Sequence, residues 1–77
     1  MSRPLLIFAG NRSQAEAYAG KRGLHGSEWR QVDKVDDLQG LYKPRVIRTG
    51  LWWKHPDYPA IQRRLTQIAA DVIDERI

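Results

Sequence analysis

The feature that most constrains the fold is an apolar run, Leu5-Leu6-Ile7-Phe8-Ala9, that ends in Gly10 and changes at once to a helical pattern in Asn11-Arg12-Ser13-Gln14-Ala15-Glu16-Ala17-Tyr18-Ala19. A strand with one wet face alternates apolar and polar residues. This run does not, so both of its faces require cover, as in a central parallel strand. The Gly then turns the chain into a helix whose N-terminus points backbone N–H groups at the space above the sheet edge, where ligands of α/β domains bind.

The strand spans Pro4 to Ala9 and the first helix about Ser13 to Arg22. Asn11 or Ser13 is the N-cap, Ser13 and Glu16 stand at capping-box spacing, and Gly23 ends the helix. Glu28-Trp29-Arg30-Gln31-Val32 alternates large and polar residues and reads as a second, more exposed strand. Asp33 to Gly40 is a turn with one short helical piece. Pro44 to Gly50 supplies the third strand, and Gly50 to Pro59 a loop rich in Trp, His and Pro. The last helix starts at Tyr58 or Pro59, with Asp57 as N-cap, and its stripe Ile61, Leu65, Ile68, Val72 extends it through the C-terminal residues. The expected fold is therefore a single α/β domain over residues 1–77, a three-stranded parallel sheet in the order 2-1-3 with two main helices, β-α-β-β-α.

A chain of 77 residues is near the lower limit for a hydrophobic core that stands alone, and its mean hydropathy of −0.60 leaves little apolar surface to spare. Together with three Trp, this favours self-association into a homo-oligomer. With no Cys there is neither a disulfide nor a thiolate site, and His25 and His55 are isolated, so no metal and no cofactor is expected. The apolar run is too short for a membrane span, and the expected location is the cytoplasm.

If the strands are parallel, their carboxyl ends bring Asn11, Arg12 and Ser13 together with Lys34 and with Trp53, Lys54 and His55. These are the candidate binding residues. Asn11 and Arg12 suit an anion at the helix terminus, but neither a P-loop nor a GxGxxG is present. His55 has no nucleophile or carboxylate at a diagnostic spacing, so no catalytic residue is assigned and the chain reads as a non-enzyme. An exposed Trp beside Lys54 suits base stacking or anchoring of a protein, and Trp52, Trp53, Ile73 and Ile77 are the candidate interface residues, the two Ile lying beyond the core stripe of the last helix. The basic residues are scattered through a chain whose net charge is +4.

Along Phe8 to Ala19, Glu28-Trp29-Arg30 and Val46-Ile47-Arg48-Thr49-Gly50, the chain resembles small proteins encoded by bacteriophages of actinobacteria, over nearly its whole length. It is also similar to half of a Rossmann-like or P-loop helicase sheet without the phosphate loop. The first resemblance implies a small, non-essential or host-directed phage protein in a bacterial cytoplasm and carries over no catalytic residue. The leading expectation is an interaction protein that self-associates or docks onto a host protein. The alternatives are a nucleic-acid-binding module using Arg12, Lys34, Trp53 and Lys54, and a nucleotide or small-anion sensor.

Overall fold

The computed structural model describes residues 5–75. In chain order these form β1 (Leu5–Phe8), α1 (Arg12–Lys21), β2 (Trp29–Gln31), a 3₁₀ turn (Val35–Leu38), β3 (Arg45–Arg48), a second 3₁₀ turn (Trp52–Lys54), α2 (Tyr58–Gln67) and β4 (Asp71–Asp74). The sheet is parallel throughout, in the order β2-β1-β3-β4. The expected order of the first three strands is observed, but the sheet has four strands and not three.

Because β1 is central, its apolar run divides between two cores. Leu6 and Phe8 join Val46, Leu38, Ile61 and Leu65 on the face covered by α2. Ile7 and Ala9 join Ala15, Tyr18, Ala19, Trp29 and Ile47 on the face covered by α1. Ala15 and Ala19, one turn apart, let α1 lie close to the sheet, whereas α2 inserts the longer Ile61 and Leu65, each contributing roughly 1.5–3 kcal/mol on burial. One helix on each face is the arrangement that right-handed crossovers demand when the chain leaves β1 towards one edge and β3 towards the other.

The fourth strand comes from residues that the apolar stripe assigned to the last helix. α2 stops at Gln67, and Ala69 adopts φ 53°. The amides of Ala69 and Ala70 then bond back to the carbonyls of Thr66 and Leu65, closing a Schellman turn. The end of α1 has the same pattern, with Gly23 (φ 70°) and Leu24 bonding back to Gly20 and Ala19. Gly announces the first stop; nothing in the sequence announces the second, because the left-handed position is held by Ala. Val72 still packs on the α2-side core, but as a strand residue, and Ile73 lies on β4 and not on a helix. Pro4 and Ile77 lie outside the described residues.

The helix starts also differ in detail. α1 begins at Arg12, with the Asn11 side chain as its cap and not Ser13. Asp57 occupies the N-cap position of α2, but its carboxylate makes no cap hydrogen bond.

A left-handed backbone costs an L-residue about 1 kcal/mol that Gly does not bear. Ala69→Gly is expected to raise the unfolding free energy by ~0.5–1 kcal/mol, measured by urea denaturation.

Candidate functional site

At the carboxyl ends of β1 and β3 the chain departs in opposite directions, which makes this the switch point of the sheet. Two loops meet there, Gly10 to Asn11 and Gly50 to His55. The Asn11 side-chain oxygen accepts from the Gln14 amide at 2.9 Å, capping α1. The Gln14 side-chain oxygen in turn accepts from the amides of Gly10 at 3.0 Å and Leu51 at 2.8 Å. A Cβ on Gly10 would stand 2.6 Å from the Leu51 carbonyl oxygen, and Gly50, at φ 60°, lies against the Gln14 side chain. The loops therefore close on each other only because both positions lack a side chain. The two amides converge as they would on a ligand oxyanion, but an oxygen of the chain itself takes that place.

His55 is buried at 6% exposure beneath the same loop. Its Nδ1 accepts from the Asp57 amide at 3.0 Å, which leaves the ring proton on Nε2, 3.1 Å from the Asp33 carboxylate. The carboxylate partner of His55 is thus Asp33, 22 residues away, a separation that no spacing rule reveals. The ring packs edge-on against Phe8 at 5.6 Å between centroids. Asp33 and His55 fasten the loop after β2 to the loop after β3. No nucleophile bonds either of them among the described residues.

Arg48, the last residue of β3, forms a third fastening. Its guanidinium reaches the Asp74 carboxylate with two nitrogens, at 2.5 and 2.8 Å, donates to Gln62 Oε1 at 3.0 Å and stacks on the Trp52 ring at 4.0 Å. Trp52 is half-buried against Phe8 and Tyr58. Trp53 meets Trp52 at 5.6 Å and 87°, and is itself 47% exposed, with Leu51 beside it at 41%. The structure thus separates the two Trp: Trp52 is a supporting ring and Trp53 an outward one.

The other candidate residues are disposed unevenly. Arg12 turns toward β2, donating to Glu16 at 3.0 Å and lying over the Trp29 ring at 5.1 Å, with Gln31 3.4 Å away. Ser13, Lys34 and Lys54 are exposed. The turn after Lys34 is held by Asp37, whose carboxylate accepts from the Asp33 and Lys34 amides at 2.8 and 3.0 Å. Lys34 and Lys54 share this side of the sheet through the Asp33–His55 contact, together with the acidic Asp33 and Asp57. Gln14, Asp33 and Arg48, which organise the edge, were not among the sequence candidates; only their long-range partners distinguish them from ordinary polar residues.

On the α1 face, the Tyr18 hydroxyl and the Arg22 guanidinium both donate to Glu75. Those two hydrogen bonds, Tyr18 first, hold the Glu75 carboxyl below its ordinary value. Burial, followed by the Glu75 contact, pushes the Tyr18 hydroxyl above its own.

A depression of about 1490 Å³ runs along β2 and the amino ends of the strands, and its lining reaches Arg12. Its lining mixes Arg30, Lys43 and Arg45 with Glu28, Asp36 and Asp71, and so selects for neither sign of charge. Among the described residues no cluster of His, Asp and Glu is arranged to hold a metal ion, and no helix is long and apolar enough to cross a membrane. Comparison of the chain with protein-family models, with curated proteins and with solved structures finds no match.

Two outcomes are expected. Gln14→Leu leaves two converging amides without an acceptor and should lower stability by about 1–3 kcal/mol in urea titrations, whereas Ser13→Ala, one residue away, should change it little. For Glu75, the unfolded carboxyl titrates near 4.5 and the folded one lower, so its contribution is complete above pH 4.5 and is lost as the pH falls through the folded value. Thermal melts should therefore show a weaker acid dependence between pH 5 and pH 3 in Glu75→Gln than in the wild type.

Proposed function

We propose that this domain is a non-enzymatic interaction protein that docks a protein partner on the carboxyl edge of its sheet, with Trp53 as the anchor and Leu51 beside it. The observation that carries this reading is the posture of Trp53: a large ring, half in solvent, standing on Trp52, which is itself held by Arg48, Phe8 and Tyr58. An anchor already fixed in place loses little conformational entropy when a partner covers it. The three fastenings of Gln14, His55 and Arg48 make the ground beneath it a platform and not a cleft.

The same features weigh against the two alternatives. Nucleic acid would meet Asp33, Asp57 and Asp74 on this edge together with Lys34 and Lys54, while Arg12 is drawn off to Glu16 and Gln31. A small anion would have to displace Gln14 from the Gly10 and Leu51 amides. The resemblance to small phage proteins favours a bacterial host protein as the partner.

The test is affinity capture from bacterial lysate with wild-type protein and with Trp53→Ala, each shown by circular dichroism to be folded, followed by titration with the purified partner. A single protein retained by the wild type and bound roughly 30-fold or more weaker by Trp53→Ala is the expected result, the size of loss typical of a central anchor. Retention unaffected by Trp53→Ala would overturn the reading. So would a mobility shift with oligonucleotides at low salt that Lys34→Ala and Lys54→Ala abolish.

A further inference from the structure

We infer that β4 is a self-pairing edge through which two copies of this chain join their sheets, independently of the Trp53 platform. β4 is the last strand of the sheet, and its bonds to β3 use alternate residues: the Asp71 amide donates to Pro44 and the Glu75 amide to Arg48. Parallel-ladder geometry then points the backbone groups of Ile73 inward as well, and those of Val72 and Asp74 outward. Among the described residues nothing bonds that outer edge. Ile73 stands on the α1 face in register with Ile47, but 40% exposed, because α1 does not extend over β4.

One antiparallel register satisfies this edge with a second copy. Setting Ile73 opposite its own counterpart pairs Val72 of each copy with Asp74 of the other. Each copy brings two N–H donors and two carbonyl acceptors, hence four ladder bonds and a continuous sheet of eight strands. The two Ile73 side chains fall at the non-hydrogen-bonded position, where side chains of opposing strands lie closest, and cover each other.

The acidic residues of β4 do not forbid this contact, because each carboxylate has an arginine of its own copy at hand. Asp74 is held by Arg48, Glu75 by Arg22, and Asp71 lies in register with Arg45 on the neighbouring strand. In the paired register Asp71 faces Glu75 of the other copy, so each end of the seam holds two carboxylates flanked by Arg45 and Arg22. The other open edge lacks this balance. β2 is three residues long, and the equivalent pairing would set Arg30, exposed and without an ion pair among the described residues, directly against itself.

The chain has no Cys, so one introduced thiol reports the register directly. Opposing residues at a non-hydrogen-bonded antiparallel position have Cα atoms about 4.5 Å apart, within disulfide reach. Ile73→Cys is expected to form a disulfide-linked dimer in a glutathione buffer. Asp71→Cys, whose counterpart lies four residues along the partner strand and so about 13 Å away, is expected to stay unlinked. In sedimentation equilibrium the wild-type mass should rise with concentration from 8.9 kDa toward twice that value, while Ile73→Lys, folded by circular dichroism, self-associates at least about tenfold more weakly. A wild-type mass of one chain up to the highest soluble concentration would overturn the inference, as would Asp71→Cys linking as readily as Ile73→Cys. Trp53→Ala should leave the mass curve unchanged; if it abolishes association while Ile73→Lys does not, the contact lies on the Trp53 platform and β4 is not the seam.

Discussion

Everything in this small domain depends on covering both faces of β1. Four apolar residues in a row at the centre of a parallel sheet leave no wet face, so the chain has to supply a layer on each side from very little material. It does so with one ten-residue helix per face, and with different side chains for each. Alanines bring α1 close to the backbone of the sheet, while Ile61 and Leu65 fill the wider space under α2. Short elements leave little helix–sheet contact to spare, and the polar fastenings at the carboxyl edge make up for it by tying loops that would otherwise be free.

Those fastenings decide what the edge can do. In α/β domains the switch point is where backbone amides are left available to a ligand. Here Gln14 occupies two of them, His55 and Asp33 spend their hydrogen bonds on each other and on the backbone, and Arg48 is engaged by Asp74, Gln62 and Trp52. What remains outward is apolar and aromatic, Leu51 and Trp53, with a few lysines and carboxylates of balanced sign. Such a surface suits recognition by shape and burial more than capture of a phosphate.

The two sheet edges are treated differently by the sequence that forms them. β2 is short and carries an exposed arginine, a common way of discouraging another strand. β4 also carries charge, but Asp74 is paired with Arg48 and the following Glu75 with Arg22, and an isoleucine is left between Asp71 and Asp74. Acidic composition alone would mark β4 as protected, but it does not show that Arg48 and Arg22 take up two of the carboxylates.

The sequence by itself determined the central strand, the parallel α/β class and the site of the first βα turn, because each rests on local signals: an unbroken apolar run, capping residues after it, a terminating Gly. The order expected for the first three strands is also the one observed. It did not reveal β4, since the turn that ends α2 places Ala, not Gly, in the left-handed conformation, and since Val72 falls on the apolar stripe whether residues 68–74 are helix or strand. Nor did it reveal that Gln14, Asp33 and Arg48 hold the candidate edge together. Their partners lie 37, 22 and 26 residues away, and a polar side chain looks the same in sequence whether it is solvated or bonded across the fold. Only the tertiary structure decided which Trp faces out, and for the same reason: adjacent residues share every local property, and it is the packing of Phe8, Tyr58 and Arg48 around one ring that leaves the other in solvent.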